Sequence, residues 1–116
     1  MMKKIEAIIR NDKLSFVKKA LADSGFSALT TFEVKGRGKQ SGIIQILNGT
    51  KIYADLLAKT KIDVVVKDDD LDKALSLILA NARTGNIGDG KIFVSEVKEV
   101  IRVRDGAKAT EDLEII

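Results

Sequence analysis

The feature that most restricts this chain is an order of local patterns, strand then helix then strand, that occurs twice. The first round opens with "KIEAIIR", Lys4 to Arg10, a mostly apolar strand. "DKLSFVKKALADSG" follows with helical spacing through Leu14, Val17 and Leu21, with Ala20 beside them; Asp12 stands where a side chain caps a helix start and Gly25 where a helix ends. "SALTTFEVKG", Ser27 to Gly36, has the threonine, valine and phenylalanine content of a strand. In the second round, Lys61 to Lys67 is a strand with three consecutive valines, and Asp68 to Asp70 offer capping oxygens and favourable negative charge at a helix start. Leu71, Ala74, Leu75, Ile78, Leu79 and Ala82 then make one broad apolar helical face. "KIFVSEVKEVIRVR" supplies a last strand and a short extension, in which Ile101 and Val103 alternate with Arg102 and Arg104. Two such units in tandem predict an α/β (α+β) ferredoxin-like double βαβ sandwich, with both helices on one sheet face. The other face is expected to hold much of the valine and isoleucine. It needs a cover, most cheaply a second subunit, so a closed homo-oligomer is expected.

Composition removes several kinds of chemistry. The 116 residues suit one domain with a usable core. With no Cys and no His there is no disulfide framework, thiolate, conventional zinc site or imidazole base, so redox and zinc enzymes are poor candidates. The start, "MMKKIEAIIRNDK", has too short an apolar run for a signal peptide, and no run approaches the roughly 20 residues of a membrane span. A soluble, cytoplasmic protein is expected. A net charge of +3, with acidic residues interspersed, suits small anions as well as polyanions. The only aromatic residues are Phe16, Phe26, Phe32, Phe93 and Tyr53, without the signature of an RNA-binding sheet, so no nucleic-acid partner is expected.

Between the two units lies "GRGKQSGIIQILNGTKIYADLLAKT", Gly36 to Thr60, which has no clean period and carries Gly36, Gly38, Gly42 and Gly49. A structureless stretch of this length works as a lid or binding loop when it occurs inside a compact domain. A plainer reading is a hairpin, "GIIQIL" against "NGTKIYADL", turned at Asn48 and Gly49 and extending the sheet. A projecting hairpin also serves as a partner-binding arm, so the two readings are compatible. The closing segment, Asp105 to Ile116, is mainly polar, and its final isoleucines either dock on the oligomer or fray.

"RTGNIGDGKIFV", Arg83 to Val94, nearly spells a phosphate-binding P-loop: Gly85, four residues, Gly90, Lys91. A P-loop continues with Ser or Thr for magnesium and opens a helix, whereas here Ile92 follows and the next residues read as a strand. Glycines still permit exposed N–H groups to form a concave anion site. Lys91 adds a cation, and Arg102 and Arg104, with Arg83 or Lys39, could neutralise a phosphate tail.

"GRGKQSG" at Gly36 to Gly42, "KTKIDVVVKDDDLDKAL" from Lys59 and "ARTGNIGDGKIFV" from Ala82 to Val94 together resemble the P-II nitrogen-regulatory protein family, in matching order from Ile5 to Arg104. The resemblance implies a homotrimeric, non-catalytic sensor. It would bind ATP or ADP between subunits and, with ATP and Mg2+, 2-oxoglutarate. It implies a P-II-like regulatory domain over residues 1–104, a tail at 105–116, a mobile loop from Gly36 to Asp55 and a nucleotide-binding loop from Ala82 to Lys91. Thr30, Gly38, Gly88, Asp89, Gly90, Lys91, Arg102 and Arg104 match nucleotide contacts. Gln40 and Lys59 match the 2-oxoglutarate site, Gln40 helping to hold Mg2+ through a neutral oxygen and Lys59 meeting a carboxylate. The loop, with Ile43, Ile46, Leu47, Thr50, Ile52 and Tyr53, would touch the regulated partner: an ammonium transporter, glutamine synthetase or a nitrogenase component. Any membrane association would be peripheral and through that partner. A weaker likeness is to the subgroup associated with nitrogen fixation.

The departures from the family pattern are specific. The position of the nucleotidylated tyrosine is Ile52, with Tyr53 one residue away, and the second tyrosine-bearing position is Leu47. The chain has no Pro: Asn11 stands where the family has one after the first strand, and Ala58 where it has one before the loop-base lysine. Ser41 replaces an often basic residue. An adenine-nucleotide sensor with a degraded 2-oxoglutarate response is therefore the second reading, and an ATP-dependent phosphotransferase a more distant third.

Overall fold

The structure, a computed structural model, describes residues 1–37, 43–47, 49–54 and 56–109; for Ile43–Leu47 and Thr50–Ala54 the description is confined to the backbone. In chain order the elements are β1 (Met2–Ile9), a 3-10 turn (Asn11–Lys13), α1 (Leu14–Asp23), β2 (Thr30–Gly36), β3 (Ile43–Leu47), β4 (Thr50–Ala54) and β5 (Leu57–Lys67). A second 3-10 turn (Asp68–Asp70), α2 (Leu71–Ala82), β6 (Lys91–Val97), β7 (Val100–Ile101) and β8 (Lys108–Ala109) complete them. The main sheet has the order β2-β5-β1-β6, and each neighbouring pair in it is antiparallel. This α+β arrangement, with a helix after β1 and another after β5, has the expected ferredoxin-like topology.

Period-two burial along the central strands explains where the core sits. Ile5, Ala7 and Ile9 of β1 face the helices and lie opposite Val64, Ile62 and Thr60 of β5 in register. Val17 and Leu21 of α1 and Ala74, Ile78 and Ala82 of α2 are buried with them. Each large side chain so buried contributes about 1.5–3 kcal/mol of hydrophobic stabilisation.

The opposite face corrects an expectation. The pleat sends most of the isoleucine and valine of β1 and β5 to the helices, leaving Lys4 and Glu6 of β1 and Lys61 and Asp63 of β5 on the other side. Four ion pairs of 3.3 to 3.7 Å join Lys4 and Lys61 to Glu6 and Asp63. Phe32 and Phe93 flank these charges, 43% and 52% exposed, and the Lys61 ammonium lies 4.9 Å from the Phe32 ring centre. Charged and aromatic side chains thus occupy much of the uncovered face, beside the aliphatic Ile8 and Val65.

Three local expectations also change. The hairpin forms, Ile43–Leu47 against Thr50–Ala54, but as a two-stranded sheet of its own instead of an extension of the main one. No side chain caps either helix start; Asp68 instead pairs with Lys3 at 3.5 Å, while the carboxylates of the turn still complement the helix dipole. Past β6 the chain does not run extended through Arg104. Val100–Ile101 pairs with Lys108–Ala109 across a tight turn, closed by Gly106 N–H donating to the Arg102 carbonyl. Arg102 and Arg104 consequently do not alternate along a strand, and the first residues of the expected tail are paired. Among the described residues no helix is long and apolar enough to cross a membrane.

Leu21→Ala and Ile62→Ala should each lower unfolding free energy by about 2–5 kcal/mol. Lys19→Ala, which loses only an exposed ion pair with Asp23, should leave the denaturation midpoint unchanged at equal protein concentration.

Candidate functional site

The antiparallel order β5-β1-β6 brings three segments to one end of the sheet: Arg10-Asn11 after β1, Lys59-Thr60 within β5, and the loop Arg83–Gly90 before β6. The loop follows a helix and leads into a strand, the reverse of P-loop order.

A carboxylate organises this loop. Asp89 Oδ2 accepts the backbone N–H groups of Thr84 and Gly85, both at 2.9 Å. Its Oδ1 accepts the Thr84 hydroxyl and the Arg10 Nε–H, the latter at 3.0 Å. The Thr84 hydroxyl oxygen in turn accepts the Asn86 N–H at 3.2 Å. Thr84's hydroxyl and amide, then Arg10 and the Gly85 amide, hold the Asp89 carboxyl well below the usual carboxylate range. The concave N–H site anticipated from the glycines therefore exists at Thr84 and Gly85, but the protein's own carboxylate fills it.

Arg10 and Lys59 fasten the loop from the side. Arg10 Nη2 donates to the Ile87 carbonyl at 3.0 Å, and the Lys59 ammonium donates to the Gly88 carbonyl. Burial lowers the Lys59 pKa, the nearby Arg10 charge lowers it further, and Asp89 opposes both. Next to Lys59, the buried Thr60 hydroxyl donates to Asn11 Oδ1 at 2.8 Å. At Gly90 (φ +101°) a Cβ would lie 1.7 Å from the Ile8 carbonyl oxygen, so no larger residue fits beside β1. Lys91 follows immediately, exposed and without an ion-pair partner among the described residues.

Two open cavities flank the sheet. One, of about 370 Å³, lies between α2 and the β1–β6 edge, lined by Ile8, Leu75, Ile78 and Leu79 with Arg83, Asp89 and Lys91. The other, of about 530 Å³, is lined by Lys4, Phe26, Leu29, Thr30, Asp63 and Val65. Thr30 and Lys91 sit on the two opposite edge strands, β2 and β6, about 14 Å apart by strand spacing alone.

The expected site residues thus divide. Gly88, Asp89, Gly90, Lys91 and Lys59 come together; Thr30 lies on the far edge. Arg102 grips Asp105 through both guanidinium and carboxylate edges, 3.0 Å from Nε to Oδ1, which raises its pKa, and Arg104 is exposed in the same turn. Gly38 and Gln40, like Lys39 and Ser41, lie outside the described residues. Within the hairpin backbone, Tyr53 pairs with Ile44, Ile52 with Gln45, Lys51 with Ile46, Thr50 with Leu47 and Ala54 with Ile43. Arg10, Asn11, Thr60 and Thr84 were not anticipated as site residues. The signal for Arg10 and Asn11 was their place at the end of an apolar strand; for Thr84, a hydroxyl five residues before Asp89.

Comparison with known proteins agrees with the glycine loop. Residues 2–107 match the family described as nitrogen regulatory protein P-II. Among relatives, nitrogen regulatory protein P-II 2 of Methanothermobacter thermautotrophicus is 51% identical over 105 residues, 90% of this chain and 91% of that one. Nitrogen regulatory protein P-II 1 of Escherichia coli is 49% identical over 105 residues, 90% of this chain and 94% of that one. A crystal structure of Arabidopsis thaliana PII bound to citrate superposes with a TM-score of 0.74 at 37% identity, covering 93% of this chain and 85% of that one.

Gly90→Ala should lower the thermal unfolding midpoint more than Gly85→Ala. Both positions have positive φ, but only at Gly90 does the added carbon strike backbone.

Proposed function

Because this chain belongs to the nitrogen regulatory protein P-II family, a family of non-catalytic signal transducers, we propose that it senses ATP or ADP together with 2-oxoglutarate and reports both to a partner protein. The observation that carries this reading is the Lys59 ammonium held against the Gly88 carbonyl, a cation for a dicarboxylate placed on the loop that would hold phosphates. In the reading, Gly88, Gly90 and Lys91 meet the nucleotide from one subunit, with Gly38, and Asp89 keeps the loop in shape. Thr30, Arg102 and Arg104 approach from a neighbouring subunit. The opposite-edge placement of Thr30 and Lys91 supports this division, since two chains edge to edge can join what one chain separates. A homotrimer is the proposed assembly.

The described residues contain no cluster of three or more Asp, Glu, His or Cys able to hold a metal, so the proposed Mg2+ relies on nucleotide phosphates and Gln40. The citrate-bound plant relative supports carboxylate recognition in this fold. The proposed regulatory unit is 1–104, with 105–116 as tail; the loop 36–55 would contact the partner through Ile43, Ile46, Leu47, Thr50, Ile52 and Tyr53. An ammonium transporter, glutamine synthetase or a nitrogenase component fits this role. Ligands change that contact only through unequal affinities for the loop's conformations.

Calorimetric titration of the wild-type protein should show 2-oxoglutarate binding that requires ATP and Mg2+. ATP binding without any response to the oxo-acid would reduce the protein to a nucleotide sensor, and a monomer in sedimentation would defeat the intersubunit site. Lys91→Ala should weaken ATP by about 10- to 100-fold through loss of a charge-assisted contact. Lys59→Ala should instead abolish the oxo-acid effect. Binding by Lys59 needs the ammonium form, so 2-oxoglutarate affinity should hold near neutral pH and fall as pH rises, with a midpoint below the ordinary lysine range.

A further inference from the structure

Three short segments at the site form a closed ring. Arg10 holds Asp89 and the Ile87 carbonyl, Lys59 holds the Gly88 carbonyl, and Thr60 holds Asn11. Since Arg10 is bonded to Asn11 and Lys59 to Thr60, each segment is tied to both others. The Thr60–Asn11 hydrogen bond is the one link that touches neither the glycine loop nor any residue proposed to meet a ligand.

Thr60 is also the anomaly in its strand. The helix-facing row of β5 reads Thr60, Ile62, Val64, Val66, and Thr60 is the buried polar side chain among the described residues, 6% exposed. Valine has nearly the same shape and would continue the row. A hydroxyl there needs an acceptor, and Asn11 Oδ1 supplies it. Ile9 lies opposite Thr60 in register, so the bond joins the end of β1 to the backbone that carries Lys59. The chain has no proline to restrain either segment.

We infer that Asn11 and Thr60 are positioning residues for Lys59, their hydrogen bond setting where the ammonium meets a dicarboxylate relative to the glycine loop. The inference rests on the proposed 2-oxoglutarate site. A ligand carboxylate that takes the Lys59 ammonium draws on a lysine whose backbone is already pinned, so less ordering accompanies binding. Arg10 and Asn11, being adjacent, make a shift of the glycine loop felt at Lys59.

The test is calorimetry on the full-length protein in its native assembly, with ATP and Mg2+ and then 2-oxoglutarate, comparing wild type, Thr60→Val and Thr60→Ser. Thr60→Val should keep ATP affinity within about twofold and weaken 2-oxoglutarate by about tenfold, the upper end of what the loss of one hydrogen bond produces. Thr60→Ser, which keeps the donor, should recover most of that loss, and Asn11→Ala should reproduce the valine variant. Wild-type 2-oxoglutarate affinity in Thr60→Val overturns the inference, as does an equal loss in the valine and serine variants. Parallel losses of ATP affinity, oxo-acid affinity and thermal midpoint would also overturn it, by reducing the bond to general stability. If wild-type protein binds ATP but no 2-oxoglutarate, the proposed function fails first and this inference with it.

Discussion

The alternation of side chains along β1 and β5 is the constraint on which the rest of the molecule depends. Because successive residues point to opposite faces, Ile5, Ala7, Ile9, Ile62, Val64 and Val66 all reach the helices, and α1 and α2 close one core over them. The same alternation leaves Lys4, Glu6, Lys61 and Asp63 on the other face, held in mutual ion pairs beside Phe32 and Phe93. A one-residue slip of β1 against β5 would exchange these sets and bury the charges. Register is therefore strongly specified, and with it the placement of every group at the sheet's end.

What gathers at that end is a loop shaped from within. A glycine-rich loop next to a lysine suggests free N–H groups awaiting an anion, but here the Asp89 carboxylate occupies the Thr84 and Gly85 amides and Arg10 balances its charge. The internal anion gives the loop a definite form while leaving Lys91 exposed. Holding Gly90 against the Ile8 carbonyl then sets where Lys91 enters the sheet. The loop's form is thus set by contacts within the chain itself, from Asp89, Arg10 and Lys59.

Much of this was legible. The two strand-helix-strand rounds, both helix faces, the glycine loop entering a strand through Ile92 and the family itself all follow from local patterns in the chain. The hairpin was also readable, since Asn48-Gly49 lies between apolar runs, although its separation from the main sheet was not. Other features failed for identifiable reasons. Arg102 and Arg104 read as alternating in an extension, but the pairing of Val100–Ile101 with Lys108–Ala109 turned the chain between them. Asp68 read as a cap, but the N-terminal end of β1 brought Lys3 close enough to claim it. Arg10's place at the end of an apolar strand did not reveal its partners, Ile87 and Asp89, because they are remote in sequence.

By itself the sequence determined the fold class, the two-unit order and the membership of the glycine loop in a nitrogen-regulatory family, because each is written in short-range periodicity and contiguous motifs. Only the tertiary structure decided which groups share a hydrogen bond: that Asp89 fills its own loop, that Lys59 rests on Gly88, and that Thr60 reaches Asn11. The physical reason is that these contacts join three segments brought together by antiparallel sheet order. No pattern within one segment encodes a donor's distance to an acceptor in another.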